Sequence, residues 1–461
     1  MRRILFGLLA ATFLVVAPAS PAGAQPNVPD PAQMGPYEVG FTNFLLIDPS
    51  RDGDGDLYDH RPIPVYVWYP VDPETITGST PQAIYPFDPI YDGAGILPVL
   101  SSTSSDWEPY GIDRAYQEPA VSADGPFPLL VFSPGWGFEP WGHISIGTRL
   151  ASHGFVVAVL YHHGDCWWSW EPCDHLAVCS FNRPLDVSFA LTDLLAKNET
   201  EGHLLFGAIR PEQVAAGGWS LGGYAAMALS GGDDSVCDTL YGAFPEDPPA
   251  WTCAPSLVDP RIRAIVALDG SNQLLHFDEL ARITVPAMGL GEEWEMLALP
   301  PPGSESWQAR QHAAFSGHPA YRVDVFNSIH QSFSDLCELL YVEYYLFSLP
   351  DWWLQGNLEA VCTPFTPTIE VHRLVNQYLI AFLKTNLAGE QGYQSMLTPG
   401  WALGNEPLIE FFVTERRNPH SIDDDWPDNF IYFMHQPGSA QAVGPKDPDF
   451  LVPVLRHRNP Q

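Results

Sequence analysis

The sequence predicts an α/β protein, a mostly parallel central sheet with helices on both faces, and three observations carry the prediction. Apolar strand-like runs alternate with helix-like ones along most of the chain. Two of those runs, 127–132 and 155–161, are apolar at nearly every position, as strands buried on both faces must be. A third run, 214–216, leads into a Gly-x-Ser-x-Gly turn, GWSLGG, followed after Tyr224 by the small-residue helix former AAMAL.

The elements follow in order. Arg2 and Arg3 precede an apolar run from Ile4 to Val16, and Ala22, Gly23 and Ala24 then offer a small-residue cleavage site. That run is too short to span a bilayer comfortably, so residues 1–24 read as a secretory signal and the product as soluble and exported. Strands are expected at 37–47 and 63–69, followed by a connection rich in Pro, Ser and Asp. A helix at 143–153 joins the strands at 127–132 and 155–161. A second helix, 186–197, follows with the apolar stripe Leu185, Phe189, Leu191, Leu194 and Leu195. Later strands fall at 262–268, 283–290 and 321–326, and the last long amphipathic helix at 371–387. Beyond 396, Pro and charge dominate without a core periodicity. The expected division is therefore a catalytic domain over 25–395 and a C-terminal extension, 396–461, packed on it or trailing it.

With 461 residues, 46% of them hydrophobic, there is material for one large core with loop insertions. A formal net charge of −34 repels nucleic acid and anionic membranes, and neither is an expected partner. All seven cysteines follow the signal, so export makes disulfides plausible, and the odd count leaves at least one thiol over. Cys237 with Cys253 brackets an insertion rich in Pro and Asp. Cys337 with Cys362 brackets the loop after a helical stretch, and one pair among Cys166, Cys173 and Cys179 would close a Trp-rich loop. The spacings lack the paired C-x-x-C pattern of structural zinc.

Strand, sharp turn and helix around Ser220 are what a nucleophile elbow requires, and they point to the α/β-hydrolase fold. A serine hydroxyl is a poor nucleophile at neutral pH, so it needs a base within reach and a carboxylate to orient that base, in the chain order Ser, acid, His. His330, in NSIHQSFSD, follows a strand-like run and would reach the carboxyl edge of the sheet; His312 and His318 precede that strand and read as surface residues. For the acid, Asp269 ends the run IRAIVALD, while Glu292, Glu293 and Glu295 follow the next strand. Both placements are workable. Backbone N–H groups of Trp136, in SPGWG, and of Leu221 could meet a developing oxyanion.

Several blocks together resemble the platelet-activating-factor acetylhydrolase family, whose bacterial relatives are often described as predicted dienelactone hydrolases. They are PLLVFSPGWGFEP, LASHGFVVAVLYHHGD, NRPLDVSFALTDLL, GGWSLGGYAA, IRAIVALDG and SIHQSFSDL, in the family's order. The resemblance implies Ser220 as nucleophile, Asp269 as acid, His330 as base, and Trp136 and Leu221 at the oxyanion positions. The chain departs from the family in two ways. Trp219 and Pro134 stand where the family usually has His, and the insertion between Cys237 and Cys253 lengthens the interval from Ser220 to Asp269. A serine also departs from the cysteine of true dienelactone hydrolases.

The expected activity is hydrolysis of lipid or short-acyl esters through an acyl-enzyme, with no cofactor and no stable membrane insertion. GWSLGG is shared with polyester hydrolases and cutinase-like enzymes, which keeps an extracellular polyester or lipid substrate as a rival. A hydrolase fold without catalysis, serving as a binding module, is the alternative of another class. The cluster Trp167, Trp168 and Trp170 reads either as an acyl-binding wall or as a pinned loop burying its aromatics. Asp52, Asp54, Asp56 and Asp59 have the spacing of calcium ligands. Leu57 occupies the glycine position of an EF-hand loop and no Glu closes it, so a solvated acidic turn is preferred over a metal site.

Overall fold

Successive side chains of a strand point to opposite faces, so a strand that is apolar throughout needs cover on both. The computed structural model, which describes residues 28–51, 60–86, 101–164, 176–234, 236, 257–271, 275–292, 307–317, 319–362 and 366–414, supplies that cover. The signal segment, Asp52 to Asp59, the Trp-rich loop with Cys166 and Cys173, Cys237 and Cys253, His318, Glu293, Glu295 and everything after 414 lie outside the described residues.

In chain order the strands are β1 (Glu38–Asp48), β2 (Arg61–Val71), β3 (Ile84–Pro86), β4 (Ser101–Thr103), β5 (Tyr116–Gln117) and β6 (Phe127–Ser133). They continue with β7 (Val156–Leu160), β8 (Ile209–Trp219), β9 (Ile262–Leu268), β10 (Ala287–Glu292), β11 (Ala320–Val325) and β12 (Ile409–Thr414). β3 and β4 pair apart, within the Pro, Ser and Asp-rich connection. The others form one sheet in the order β12-β11-β10-β9-β8-β6-β7-β2-β1-β5. Strands β6 to β11 run parallel, whereas β2 and β12 are antiparallel to their neighbours.

Alternation along β6 sorts the core into two layers. Leu130 and Phe132 face one cluster, with helices Ile144–Ser152 and Thr368–Asn386; Leu129 and Val131 face the other, with helices Leu176–Glu199 and Leu221–Gly231. From β6 the chain builds β7 on one side and then β8 on the other. That reversal opens a crevice at the carboxyl ends of β6 and β8, the place where open parallel sheets bind ligands.

Three boundaries differ from the expectation. The strand expected from 283 begins at Ala287, because Pro286 has no N–H to give the ladder, although its carbonyl accepts from Ile265 at 3.0 Å. The helix expected at 186–197 runs from Leu176 to Glu199 through Pro184; a proline removes one backbone bond, and the buried side chains of Arg183 and Asp186 beside it are tied into the site region described below. The tail expected to lack core periodicity holds helix Pro399–Asn405 and β12, which pairs with β11 and buries Ile409 and Phe411 while exposing Glu410. The sheet thus extends past residue 395.

After β11, helices Leu336–Leu346 and Asp351–Val361 are clasped by a disulfide between Cys337 and Cys362, the pairing expected for those two cysteines. Cys179 is buried in the second layer. Among the described residues no helix is long and apolar enough to cross a membrane.

Candidate active site

Ser220 sits between the end of β8 and helix Leu221–Gly231 with φ 54° and ψ −121°, a left-handed backbone that a side-chain-bearing residue adopts at a cost of roughly 1–3 kcal/mol. Neighbours hold it there. Its N–H donates to the Leu268 carbonyl at 3.0 Å, and its own carbonyl accepts from Ser271 at 2.8 Å and Gly223 at 2.9 Å. The tightness of the turn explains two of its glycines: a Cβ on Gly218 would lie 2.1 Å from the Gly222 backbone, and one on Gly222 would lie 1.8 Å from the Ser133 oxygen. Ser220 itself remains half-buried.

Asp269 follows β9, also at positive φ, 42°, with its N–H donating to the Leu290 carbonyl at 2.6 Å. One carboxylate oxygen, Oδ2, lies 2.5 Å from Nδ1 of His330. The other, Oδ1, accepts from Gln308 Nε2 at 2.7 Å and more weakly from the Glu292 backbone N–H at 3.3 Å. Of the two acid candidates among the described residues, Asp269 therefore meets His330, and Glu292 gives its backbone to Asp269. Gln308 was not legible in advance; it fits because Gly291, on the strand beneath, has no side chain where its amide lies.

His330 opens a short 3-10 turn, His330–Phe333, after β11. Trp219, at the position where the resembled family usually has His, bridges the Ser220 turn and the His330 loop. Its indole N–H donates to the His330 carbonyl at 3.0 Å, and its ring lies 4.8 Å from the imidazole centroid. Phe138 packs edge-on against the same indole at 4.7 Å. His312, expected at the surface, is half-buried and bonded through Nε2 to the Ala320 carbonyl.

The loop after β6 carries Trp136, and Leu221 is the first residue of the helix after Ser220. This loop packs against Ser220: a Cβ built on Gly135 would lie 3.3 Å from Ser220 Cβ. Beneath it lies a buried polar network that sequence reading did not foresee. Arg183 Nη1 donates to the Pro134 carbonyl at 2.6 Å and to Ser133 Oγ at 3.1 Å, and Nη2 donates to the Gly135 carbonyl at 2.8 Å. Ser133 Oγ also meets His162 Nε2 at 2.8 Å, and His162 Nδ1 meets Asp186 at 2.9 Å. Arg61 grips Asp186 with two bonds of 2.7 Å. Burial pushes His162 down to about 3, with Arg183 adding to the effect, so the ring is neutral with its proton on the Nδ1 that faces Asp186. Burial alone would raise the Asp186 carboxyl, but Arg61 and Arg51 hold it well below the usual carboxylate range.

Asp335, Glu338 and His372 form the one group of metal-type donors among the described residues. Asp335 is already engaged: its Oδ2 accepts the Ser145 N–H at 2.9 Å and its Oδ1 the Ser145 hydroxyl, at the start of helix Ile144–Ser152. The acidic turn raised as a weak calcium candidate, Asp52, Asp54 and Asp56, lies outside the described residues.

No protein-family model and no curated protein matches the chain. Among solved structures, a ferulic acid esterase from Streptomyces cinnamoneus is similar over 80% of this chain and 94% of that one, with 20% identity and a TM-score of 0.51. At that identity the likeness shows the fold, and with the mostly parallel sheet it makes this an α/β-hydrolase fold. In all, 416 solved chains match, too many for fold alone to choose a substrate.

Proposed function

We propose that the chain is a serine ester hydrolase that works through an acyl-enzyme on Ser220. One observation carries the reading: a serine on a strained strand-to-helix turn shares a sheet edge with an imidazole whose Nδ1 is held 2.5 Å from a carboxylate. In this mechanism Nε2 of His330 takes the hydroxyl proton as Ser220 Oγ attacks the ester carbonyl carbon. The N–H groups of Trp136 and Leu221 meet the charge that develops on the carbonyl oxygen. Asp269 orients the ring and stabilises its cationic form, which then protonates the departing alkoxide. Water, deprotonated by the same imidazole, attacks the acyl-enzyme, releases the acid and restores Ser220.

The fold shared with a ferulic acid esterase supports ester chemistry in general. Preference for lipid or short-acyl esters rests on the sequence blocks that resemble the platelet-activating-factor acetylhydrolases, and export rests on residues 1–24. A polyester substrate is a second reading, favoured by Trp219 beside the nucleophile. The test is a series of p-nitrophenyl esters of increasing chain length, a polyester film, and labelling by a fluorophosphonate. Label on the wild type and none on Ser220→Ala is expected; a wild type that neither takes label nor turns over any ester would make the fold a binding module.

A further inference from the structure

We propose that Arg183 is a positioning residue that sets the oxyanion hole by fixing the orientation of the Gly135–Trp136 peptide; the inference rests on the ester-hydrolase reading above. The guanidinium is fully buried beneath the loop after β6 and holds two consecutive carbonyls, Pro134 at 2.6 Å and Gly135 at 2.8 Å. The Gly135 carbonyl accepts a second bond, from the Phe138 N–H at 3.1 Å. Among the described residues the one cis peptide is Gly125–Pro126, so the Gly135–Trp136 bond is trans. In a trans peptide the carbonyl and the following N–H point in opposite directions. A Gly135 carbonyl turned down to Arg183 therefore turns the Trp136 N–H away from it.

On this proposal, the side away from Arg183 is the side that faces Ser220. Gly135 presses on the Trp219 ring and on Ser220, whose Cβ would lie 3.3 Å from a Cβ built on that glycine. Were this peptide to flip, a carbonyl dipole would face the developing negative charge and the hole would lose a donor. Arginine suits the task because its planar fork spans two neighbouring acceptors, which the single ammonium of lysine does not. Ser133 Oγ, itself held by His162, takes the remaining bond of Nη1 and fixes the plane of the fork. Burial pulls the Arg183 side chain down to about 9, which leaves it cationic at neutral pH, and Asp186 on the next turn of the same helix offsets the charge.

The experiment compares wild type with Arg183→Lys and Arg183→Met in p-nitrophenyl acetate hydrolysis, in inhibition by an alkyl boronic acid, and in thermal melting. A boronic acid forms a tetrahedral adduct on the serine and places an oxygen in the hole, so it reports the hole without turnover. Both variants should lose about 100-fold in kcat, the effect of removing one oxyanion donor, with KM changed by no more than about twofold and boronic acid affinity falling in parallel. Should Arg183→Met fail to fold, Arg183→Lys, which keeps the charge, carries the test. Unchanged kcat, or a loss confined to KM with boronic acid affinity intact, overturns the assignment while an active wild type leaves the hydrolase reading standing. A wild type without turnover or fluorophosphonate label overturns both.

Discussion

Two imidazole–carboxylate pairs lie close to the loop after β6, and their surroundings give them opposite characters. His330 with Asp269 stands at the mouth of the crevice, its side chain 17% exposed; His162 with Asp186 is sealed at 1% and 0%. In the sealed pair both ring nitrogens are spent, one on Asp186 and the other on Ser133, and desolvation disfavours the charged form. Such an imidazole can orient a hydroxyl but cannot accept its proton. In the open pair only Nδ1 is engaged among the described residues, so Nε2 is left for chemistry. Burial and the partner of the second nitrogen, not the pair itself, set the two imidazoles apart.

Substitutions can break or sharpen this contrast. The largest effect is expected from Ser220→Ala, a loss of ester turnover on the order of 10⁴-fold or more with unchanged melting. Asp269→Asn should cost on the order of 10⁴-fold in kcat, whereas Glu292→Gln should leave turnover within a small factor; the reverse ranking in a p-nitrophenyl ester assay would move the acid to β10. In the sealed pair, Asp186→Asn strips the buried Arg61 of its counter-charge and should cost about 3–5 kcal/mol in urea unfolding. Normal stability with lost turnover would merge the two regions into one. Replacing Cys337 and Cys362 together by Ala, in a loop closed across 25 positions, should cost about 3 kcal/mol and leave turnover in place.

The smallest effect concerns pH. Burial lowers His162 and His143 to about 3 and His153 to about 4, so between 6.5 and those values the unfolded chain binds protons that the folded one does not. Stability from these groups falls as pH drops below about 6.5. Asp335, raised to about 6 by burial, works the other way, because the folded state holds its proton and gains as pH falls through 6. His372 acts in the same sense: its burial disfavours charge, but Glu338 and Asp335 raise it, and its contribution is lost as pH rises. His143, buried between Phe132 and Trp219 with neither ring nitrogen bonded among the described residues, is the cleanest probe. His143→Phe should stabilise by about 1 kcal/mol and flatten the acid side of the melting curve; an unaltered slope would remove His143 from the account.

Much of this was legible in the sequence because it rests on short-range patterns. Continuous apolar runs marked β6 and β7, and GWSLGG marked the turn that carries Ser220. Asp269 was legible as the end of one strand and His330 as part of the loop after another, since residues that leave parallel strands at one edge converge there. What escaped depends on contacts across the fold. Gln308 reaches Asp269 only because Gly291 leaves room, and Arg183 matters only because a helix from another part of the chain passes beneath SPGWG. Pro184 hid the first turns of that helix. Trp219 looked like a departure from a resembled family; in the fold its indole ties the nucleophile turn to the His330 loop.

β12 has a consequence for how the chain is made and cut. Between β11 and its partner the chain lays down two clasped helices, a long third one and the short helix Pro399–Asn405, so the rim of the sheet stands bare until residues 409–414 have left the ribosome. A product stopped at 395, where the apparent domain ends, would keep the Ser220 edge yet offer the unpaired backbone of Ala320–Val325 to any passing strand. Such a fragment would meet its own copies rim to rim and be lost to aggregation before its chemistry could be tried.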